Sequence, residues 1–170
     1  MTFGTSGPPT VVANVVDMNE ESASRPVIVG VDGSEFSSAA LRYAGTLAAR
    51  LGARLEVISC IGMPDYLVIS HLESSEHPLT AGLEDTARRL VEDALGRAFT
   101  GGRPTAIDVT VRFGAPGKVL VEESKRAQLL VVGRHGEGGF PGTSMGSVSK
   151  ACAARSVCPV VLVGQEPDSV

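Results

Sequence analysis

Three short stretches carry residue types whose spacing could do chemistry. Gly133-Arg134-His135-Gly136 follows the apolar run Leu129-Leu130-Val131-Val132, and nine residues later the chain reads Gly146-Ser147-Val148-Ser149. A glycine-rich passage from a buried strand into a helix leaves main-chain N–H groups at the positive end of the helix dipole. That is chemistry for holding an anion, phosphate above all. Gly136 lets the backbone approach an oxygen closely, and Ser147 and Ser149 add hydroxyl donors beside it. The second stretch is Asp32-Gly33-Ser34, after the apolar run Val27 to Val31. Ser34 suits a helix N-cap with Glu35 in the first turn. The third runs from Ile61 to Pro64.

The elements that must position these stretches are legible as alternation. Val27-Ile28-Val29-Gly30-Val31 has no polar interruption, as expected of a strand buried on both faces. Phe36, Ala40, Ala44, Leu47 and Leu51 recur at helical spacing, with Gly52 as a stop. Leu55 to Ile61 reads as a second strand. Leu83, Ala87, Leu90, Val91, Ala94 and Ala98 form a second helical stripe, closed by Gly101-Gly102. A third strand is expected over Thr105 to Arg112, a third helix over Pro116 to Ala127 and a fourth strand over Gln128 to Gly133. A fourth helix over Gly146 to Ser156 and a fifth strand over Pro159 to Val163 complete the series. Repeated strand–helix units with right-handed crossovers predict one α/β domain, a five-stranded parallel sheet with helices on both faces. In such sheets ligands sit beyond the carboxyl ends of the strands, at a topological switch point. The first and fourth strands are the most apolar and are therefore expected side by side at the centre.

Composition narrows the function classes. The chain has 170 residues, 43% hydrophobic and 4% aromatic with no Trp, so its core must come from Val, Leu, Ile and Ala. A net charge of −4 argues against a nucleic-acid footprint. No apolar run approaches the length of a membrane span, and no secretory leader is expected, so the expected place is the cytoplasm. Cys60, Cys152 and Cys158 are odd in number and unpaired in spacing, which predicts reduced core thiols. Residues 1–24 hold Gly, Pro, Ser and Thr but no Lys or Arg, and read as a disordered leader that docks weakly through Val11, Val12, Val15 and Val16. The ordered domain is expected over 25–166, with a tail over 167–170.

Other chemistries match less well. Gly114-Ala115-Pro116-Gly117-Lys118 fails the Walker A pattern in spacing and in its final hydroxyl, and no G-x-G-x-x-G follows the first strand. His135 has no Ser, Cys or carboxylate partner that sequence can place beside it, which leaves the catalytic list empty. His71, Glu73, Glu76 and His77 lack the spacing of a helical zinc pair and read as a polar loop.

The glycine spacing resembles that of the universal stress protein family, in its nucleotide-binding branch. That branch is marked by Gly-x2-Gly-x9-Gly-Ser/Thr, matched by Gly133, Gly136, Gly146 and Ser147. Val29 to Ser34 resembles the family's first strand and Asp-containing turn. Val111 to Pro116 resembles its third strand and the start of its third helix, and Pro159 to Val163 its closing strand. The likeness runs from about Arg25 to Gly164. It implies a Rossmann-like sheet of strand order 3-2-1-4-5 and a site for an adenine nucleotide, ATP, with a Mg or Mn ion bridging the phosphates. By this resemblance Asp32 would lie by the adenine or ribose, in the turn it shares with Gly33 and Ser34. Val31 and Cys60 would frame the adenine, and Val132 and Gly133 would lie under the nucleotide. Gly136, Gly146, Ser147, Val148 and Ser149 would surround the phosphates; outside the resemblance, Arg134 would add a phosphate contact and Glu137 would repel one. Arg134, Glu137 and Pro141 depart from the family's usual small or basic loop residues. A sensor or regulatory binding role in the stress response is implied, with a cyclic-AMP binder or a slow ATPase as alternatives. The last strand, Val160 to Val163, presents an apolar edge without Lys or interior Pro, a pairing hazard. The family implies a homodimer through that edge; coverage by the leader is the alternative.

Overall fold

A computed structural model describes residues 11–12, 25–62, 78–104, 106–136 and 145–164. In chain order these form β1 (Val11–Val12), β2 (Val27–Val31), α1 (Glu35–Leu51), β3 (Leu55–Ile61) and α2 (Pro78–Ala98). They continue with β4 (Ile107–Phe113), α3 (Pro116–Glu123), β5 (Leu129–Gly133), α4 (Ser147–Arg155) and β6 (Val160–Val163). The sheet order is β1-β6-β5-β2-β3-β4. Every pair from β6 to β4 is parallel, so the five long strands follow the expected 3-2-1-4-5 order. Expected features in residues 63–77, at Glu137 and Pro141, and in the tail lie outside the described residues.

Side-chain alternation along the strands divides the core in two. Val27, Val29, Val31, Val57 and Val131 face α1 and α2, packing on Ala40, Leu41, Ala44, Val91 and Leu95. Ile28, Ile58, Leu130, Val132 and Leu162 face α3 and α4, packing on Leu120 and Cys152. Strands buried on both faces need continuous apolar sequence, which explains why β2 and β5 show none of the alternation of a half-exposed strand. β2 lies between β5 and β3, with successive crossovers departing in opposite directions from the β2–β5 junction. A crevice therefore opens where the ends of β2 and β5 adjoin.

Three local expectations are revised, and the expected docking of Val11 and Val12 gains a place. On α2 the buried residues are Ala87, Val91, Ala94, Leu95 and Ala98, while Leu83 and Leu90 are exposed. At 100° per residue the two leucines fall at the margin of the buried face, and Leu95 belongs to it. The third helix stops at Glu123 and tightens into a 3₁₀ turn, Ser124–Arg126, where the Ser124 hydroxyl donates to the Val121 carbonyl at 2.6 Å. Ser34 stands at the N-cap of α1 but makes no side-chain capping bond. Its own N–H donates to Asp32 Oδ1 instead, at 3.0 Å. Finally, β1 pairs antiparallel with the outer side of β6, Val11 opposite Val161 and Val12 opposite Val160, so part of the leader lies on the edge strand.

Candidate functional site

A cleft of about 290 Å³ opens at the carboxyl ends of β2, β3 and β5 on the α3/α4 side of the sheet. Its floor is apolar. Ile58, Cys60, Leu120 and Val132 line it, and Gly30 leaves a gap in the middle of β2. A Cβ at Gly30 would lie 2.7 Å from Leu120 Cδ1, so any side chain there would push into the helix side of the slot. A glycine inside a buried strand marks close approach by a helix or ligand. Burial holds the Cys60 thiol up at about 12, and Cys152 and Cys158 at about 11. At neutral pH these thiols are protonated and therefore poor nucleophiles and poor metal ligands.

One wall is the start of α4. Gly146 is its N-cap, in extended conformation, and supplies no side chain to cap it. The first intrahelical bond runs from the Lys150 N–H to the Gly146 carbonyl at 3.0 Å. The N–H groups of Ser147, Val148 and Ser149 thus precede the internal ladder, and all three residues line the cleft. The loop from β5 is tied down at its root. Arg134 N–H donates to the Val163 carbonyl at 2.7 Å, and Gly146 N–H donates to the Arg134 carbonyl at 2.9 Å. The Ser149 hydroxyl donates to the carbonyls of Gly133 and Arg134, at 2.7 and 3.0 Å. These bonds hold the start of the helix to the end of the strand. Neighbouring α3 comes close because a Cβ at Gly117 would already lie 3.0 Å from Ala151 Cβ. Pro116, at the start of α3, also reaches the cleft.

The opposite wall is the turn after β2. Asp32 Oδ1 accepts from the Ser37 hydroxyl at 2.7 Å and from the Ser34 N–H, while the Asp32 N–H donates to Ser37 Oγ at 3.0 Å. Asp32 Oδ2 lies against Gly136, where a Cβ would collide with it. At Gly133 a Cβ would lie 2.8 Å from Phe36 Cβ, so this glycine lets β5 pass the first turn of α1. Gly146 differs, because a Cβ there meets nothing nearer than His135 Cα at 3.5 Å. Gly33 adopts φ 86°, in the left-handed region. The carbonyl of Gly33 accepts from the Arg97 guanidinium at 3.1 Å, which anchors the turn to α2.

The structure brings Val31, Asp32, Cys60, Val132, Gly133, Gly136, Gly146, Ser147, Val148 and Ser149 together around one cleft. Gly33, Ser34 and Arg134 are not on its surface. Gly33 and Ser34 shape the Asp32 turn, and the Arg134 side chain is exposed while its backbone anchors the loop. Sequence reasoning missed Gly30, Ile58, Leu120, Pro116 and Ser37. Gly30 had a signal, a lone glycine in an apolar strand, and Ser37 lay in the first helical turn after Asp32. His135 lines the cleft with its ring centroid 5.5 Å from that of Phe36. Among the cleft-lining residues described, Asp32 is the one carboxylate and there is no Lys or Arg. The Asp32 carboxylate suits hydrogen-bond donors on a ligand, and the first amides of α4 suit an anionic group.

The family description for universal stress proteins matches residues 23–164. A universal stress protein of Mycolicibacterium smegmatis is 33% identical over 156 residues, covering 91% of this chain and 51% of its own. The chain spans about half the length of the curated relatives it matches. A universal stress protein solved in complex with cAMP is 31% identical, with a TM-score of 0.56, and the match covers 82% of this chain and 97% of that one. The hypothetical protein MJ0577 shares the fold at a TM-score of 0.64 with 20% identity, over 85% of this chain and 99% of its own. With its strand order and glycine-spaced loop in place, the chain belongs to the universal stress protein family.

Proposed function

We propose that the cleft binds an adenine nucleotide, ATP in the first place, and that the protein works as a nucleotide-dependent sensor or regulatory module in the stress response. The observation that carries this reading is the uncapped start of α4 facing Asp32 across an apolar slot. The base fits between Ile58, Leu120, Val132 and the gap at Gly30. The sugar falls by Asp32, whose carboxylate favours hydroxyl donors and repels phosphate. The phosphates fall by the amides of Ser147, Val148 and Ser149 at the start of α4. The cleft volume sits near the lower end for small-molecule sites. Among the described residues no three His, Cys, Asp or Glu side chains group to hold a metal ion, so Mg or Mn would ride on the phosphates. Phosphoryl transfer draws on cationic side chains around the phosphates, which favours binding over hydrolysis as the role.

Cyclic AMP is the second reading, favoured by the 31% identical relative solved with that ligand. Mass spectrometry of small molecules released from gently purified protein, followed by calorimetric competition between ATP and cyclic AMP, separates the two. Saturable one-site ATP binding that cyclic AMP does not displace supports the first reading. Absence of binding to either overturns both.

A second copy of the chain is the partner proposed for the β6 edge. Val160 to Val163 are all buried and apolar, and β1 pairs with Val160 and Val161 along that edge. β1 and a partner strand therefore compete for the same backbone groups. Removing residues 1–24 should tighten dimerisation roughly tenfold, the equivalent of one or two net hydrogen bonds. Sedimentation equilibrium reads this directly, and an unchanged monomer after truncation would count against the edge as an interface.

A further inference from the structure

We infer that the outer edge of β4 is an interaction surface for a second copy of this chain, the two β4 strands pairing antiparallel about Thr110. This inference is independent of the nucleotide reading and of the β6 edge. Among the described residues β4 is the last strand of the sheet and pairs with β3 on its inner side. It is seven residues long, Ile-Asp-Val-Thr-Val-Arg-Phe, with no Lys, Pro or Gly to blunt it. The ladder shows which of its backbone groups face outward. The Ala106 carbonyl accepts from the Leu55 N–H at 3.2 Å, and the Gly114 N–H donates to the Ile61 carbonyl at 2.9 Å. Residues 106 and 114 thus turn their main-chain groups to β3, and by alternation so do Asp108, Thr110 and Arg112. The N–H and C=O groups of Val109 and Val111 point away from β3.

The strand is complementary to its own reverse. About Thr110, the antiparallel register sets Asp108 of each copy opposite Arg112 of the other. Val109 falls opposite Val111, Ile107 opposite Phe113, and Thr110 opposite Thr110. Val109 and Val111 make the hydrogen-bonded pair, because their backbone groups face outward. Asp108 and Arg112 then make non-hydrogen-bonded pairs, the closer kind, with Cα atoms about 4.5 Å apart. Opposite charges and β-branched residues directly across from each other stabilise a strand pair, whereas like charges there destabilise it. A parallel, in-register pairing would bring aspartate beside aspartate and arginine beside arginine. The two charges therefore select the antiparallel arrangement and penalise the parallel one. Asp108 is exposed, and the Arg112 side chain is 44% exposed. Glu123 accepts from Arg112 Nε at 3.0 Å, which steadies the guanidinium on this face of the sheet.

Sedimentation equilibrium of the full chain and of D108R, R112E and V111P tests this. Wild type should associate to a dimer. D108R sets an arginine opposite Arg112 at both ends of the pairing and should weaken the dimer roughly tenfold or more. R112E should do the same, with glutamate opposite Asp108. Mixed in equal amounts, the two variants should associate again, since every charged pair across the mixed interface is then of opposite sign. V111P removes an outward N–H and spares the β3 ladder, so it should abolish the dimer while the melting curve remains that of a folded chain. If R112E fails to fold for want of the Arg112–Glu123 pair, D108R and V111P decide the matter by themselves. A wild type that stays monomeric at every concentration overturns the inference. So does a dimer that survives D108R and V111P unchanged, or two folded charge variants that stay apart on mixing. A dimer indifferent to these variants but altered by removing residues 1–24 belongs to β6, so the two edges are told apart.

Discussion

Two carboxylates, Glu56 and Asp32, are each drawn into hydrogen bonds inside this small sheet, and they are treated in opposite ways. Glu56, on β3, is buried on the α3 side and takes both nitrogens of the Arg126 fork, each at 2.6 Å. Arg126 also donates to Glu123 at 2.5 Å, and Glu123 accepts from Arg112 at 3.0 Å. The Arg126 hydrogen bonds hold the Glu56 carboxyl below its usual value against the opposing pull of burial. Asp32 is exposed, and its Oδ1 accepts from the Ser37 hydroxyl and the Ser34 N–H, with no Lys or Arg among the described residues lining its cleft. A charge matched by a bidentate partner is finished and serves the fold. Asp32 instead stands at the mouth of a cleft, on the turn that ends β2. Gly52 closes α1 with a left-handed cap whose N–H bonds to Ala48 and Ala49, and the N-cap residues of α1, α3 and α4 make no side-chain cap bond.

The largest effect should come from closing the site. G136V places a branched side chain where Asp32 Oδ2 lies, and Ser34 and Ser37 hold that carboxylate in place. Sequence alone suggested that a Cβ would intrude on phosphate; the structure puts the collision first on Asp32. Either Asp32 leaves its orientation or the loop lifts from the cleft. Nucleotide affinity should fall by about two orders of magnitude, near 2.8 kcal/mol, read by calorimetry. Gly136 is not among the glycines in the left-handed region, so the melting temperature should change little. Loss of folding instead of binding would erase the distinction between a prepared site and a structural one.

The next effect falls on the other carboxylate and on the other property. E56Q removes the charge facing Arg126 and should cost roughly 2 kcal/mol of stability. That is less than a fully enclosed pair, because the arginine is about 39% exposed. Nucleotide affinity should stay as in wild type. The pH dependence follows from the direction of the shift. The folded Glu56 has a depressed pKa, so its contribution is fully present above the ordinary value of 4.5 and is lost as pH falls through the folded value. Denaturant titrations of wild type and E56Q should therefore differ at pH 7 and converge as the buffer drops below 4.5. A gap that stays constant into acid would mean that the ion pair is not its source.

How much of this was legible in sequence depends on which physical signal each residue carried. Continuous apolar runs located β2 and β5 and their adjacency, because burial on both faces writes itself into composition. The glycine spacing located the loop and the start of α4. Gly133 and Gly136 proved necessary for steric reasons, Phe36 at one and Asp32 at the other, that no local pattern encodes. Ser149 and Arg134 were assigned to phosphate because of where they stand, yet the hydroxyl of one and the backbone of the other are used to tie β5 to α4. Ile58 and Leu120 were invisible as site residues since an apolar side chain reads as core wherever it lies. The α2 stripe was read one edge off, because leucines draw attention that the smaller Ala87 and Ala94 do not, although those two are the buried ones.

The smallest effect is the most discriminating. Gly146 occupies the N-cap of α4 at φ −70° and ψ 165°, the extended geometry that a serine cap adopts. Space exists for its Cβ, with the nearest atom 3.5 Å away. A serine hydroxyl at 146 would accept from the N–H of Val148 or Ser149, satisfying amides that precede the helical ladder. For a helix end that serves the fold, G146S should add a few tenths of a kcal/mol of stability and nothing else. If those amides serve a phosphate, the same hydroxyl competes for them, and affinity should fall by about 1 kcal/mol, roughly fivefold. Melting curves and calorimetry on one variant then move in opposite directions. A rise in stability with unchanged affinity would place the phosphate away from α4. A fall in both would mean that the serine disturbs the loop rather than capping the helix. Only the opposed pair of changes fits a helix end whose first amides are kept for a ligand.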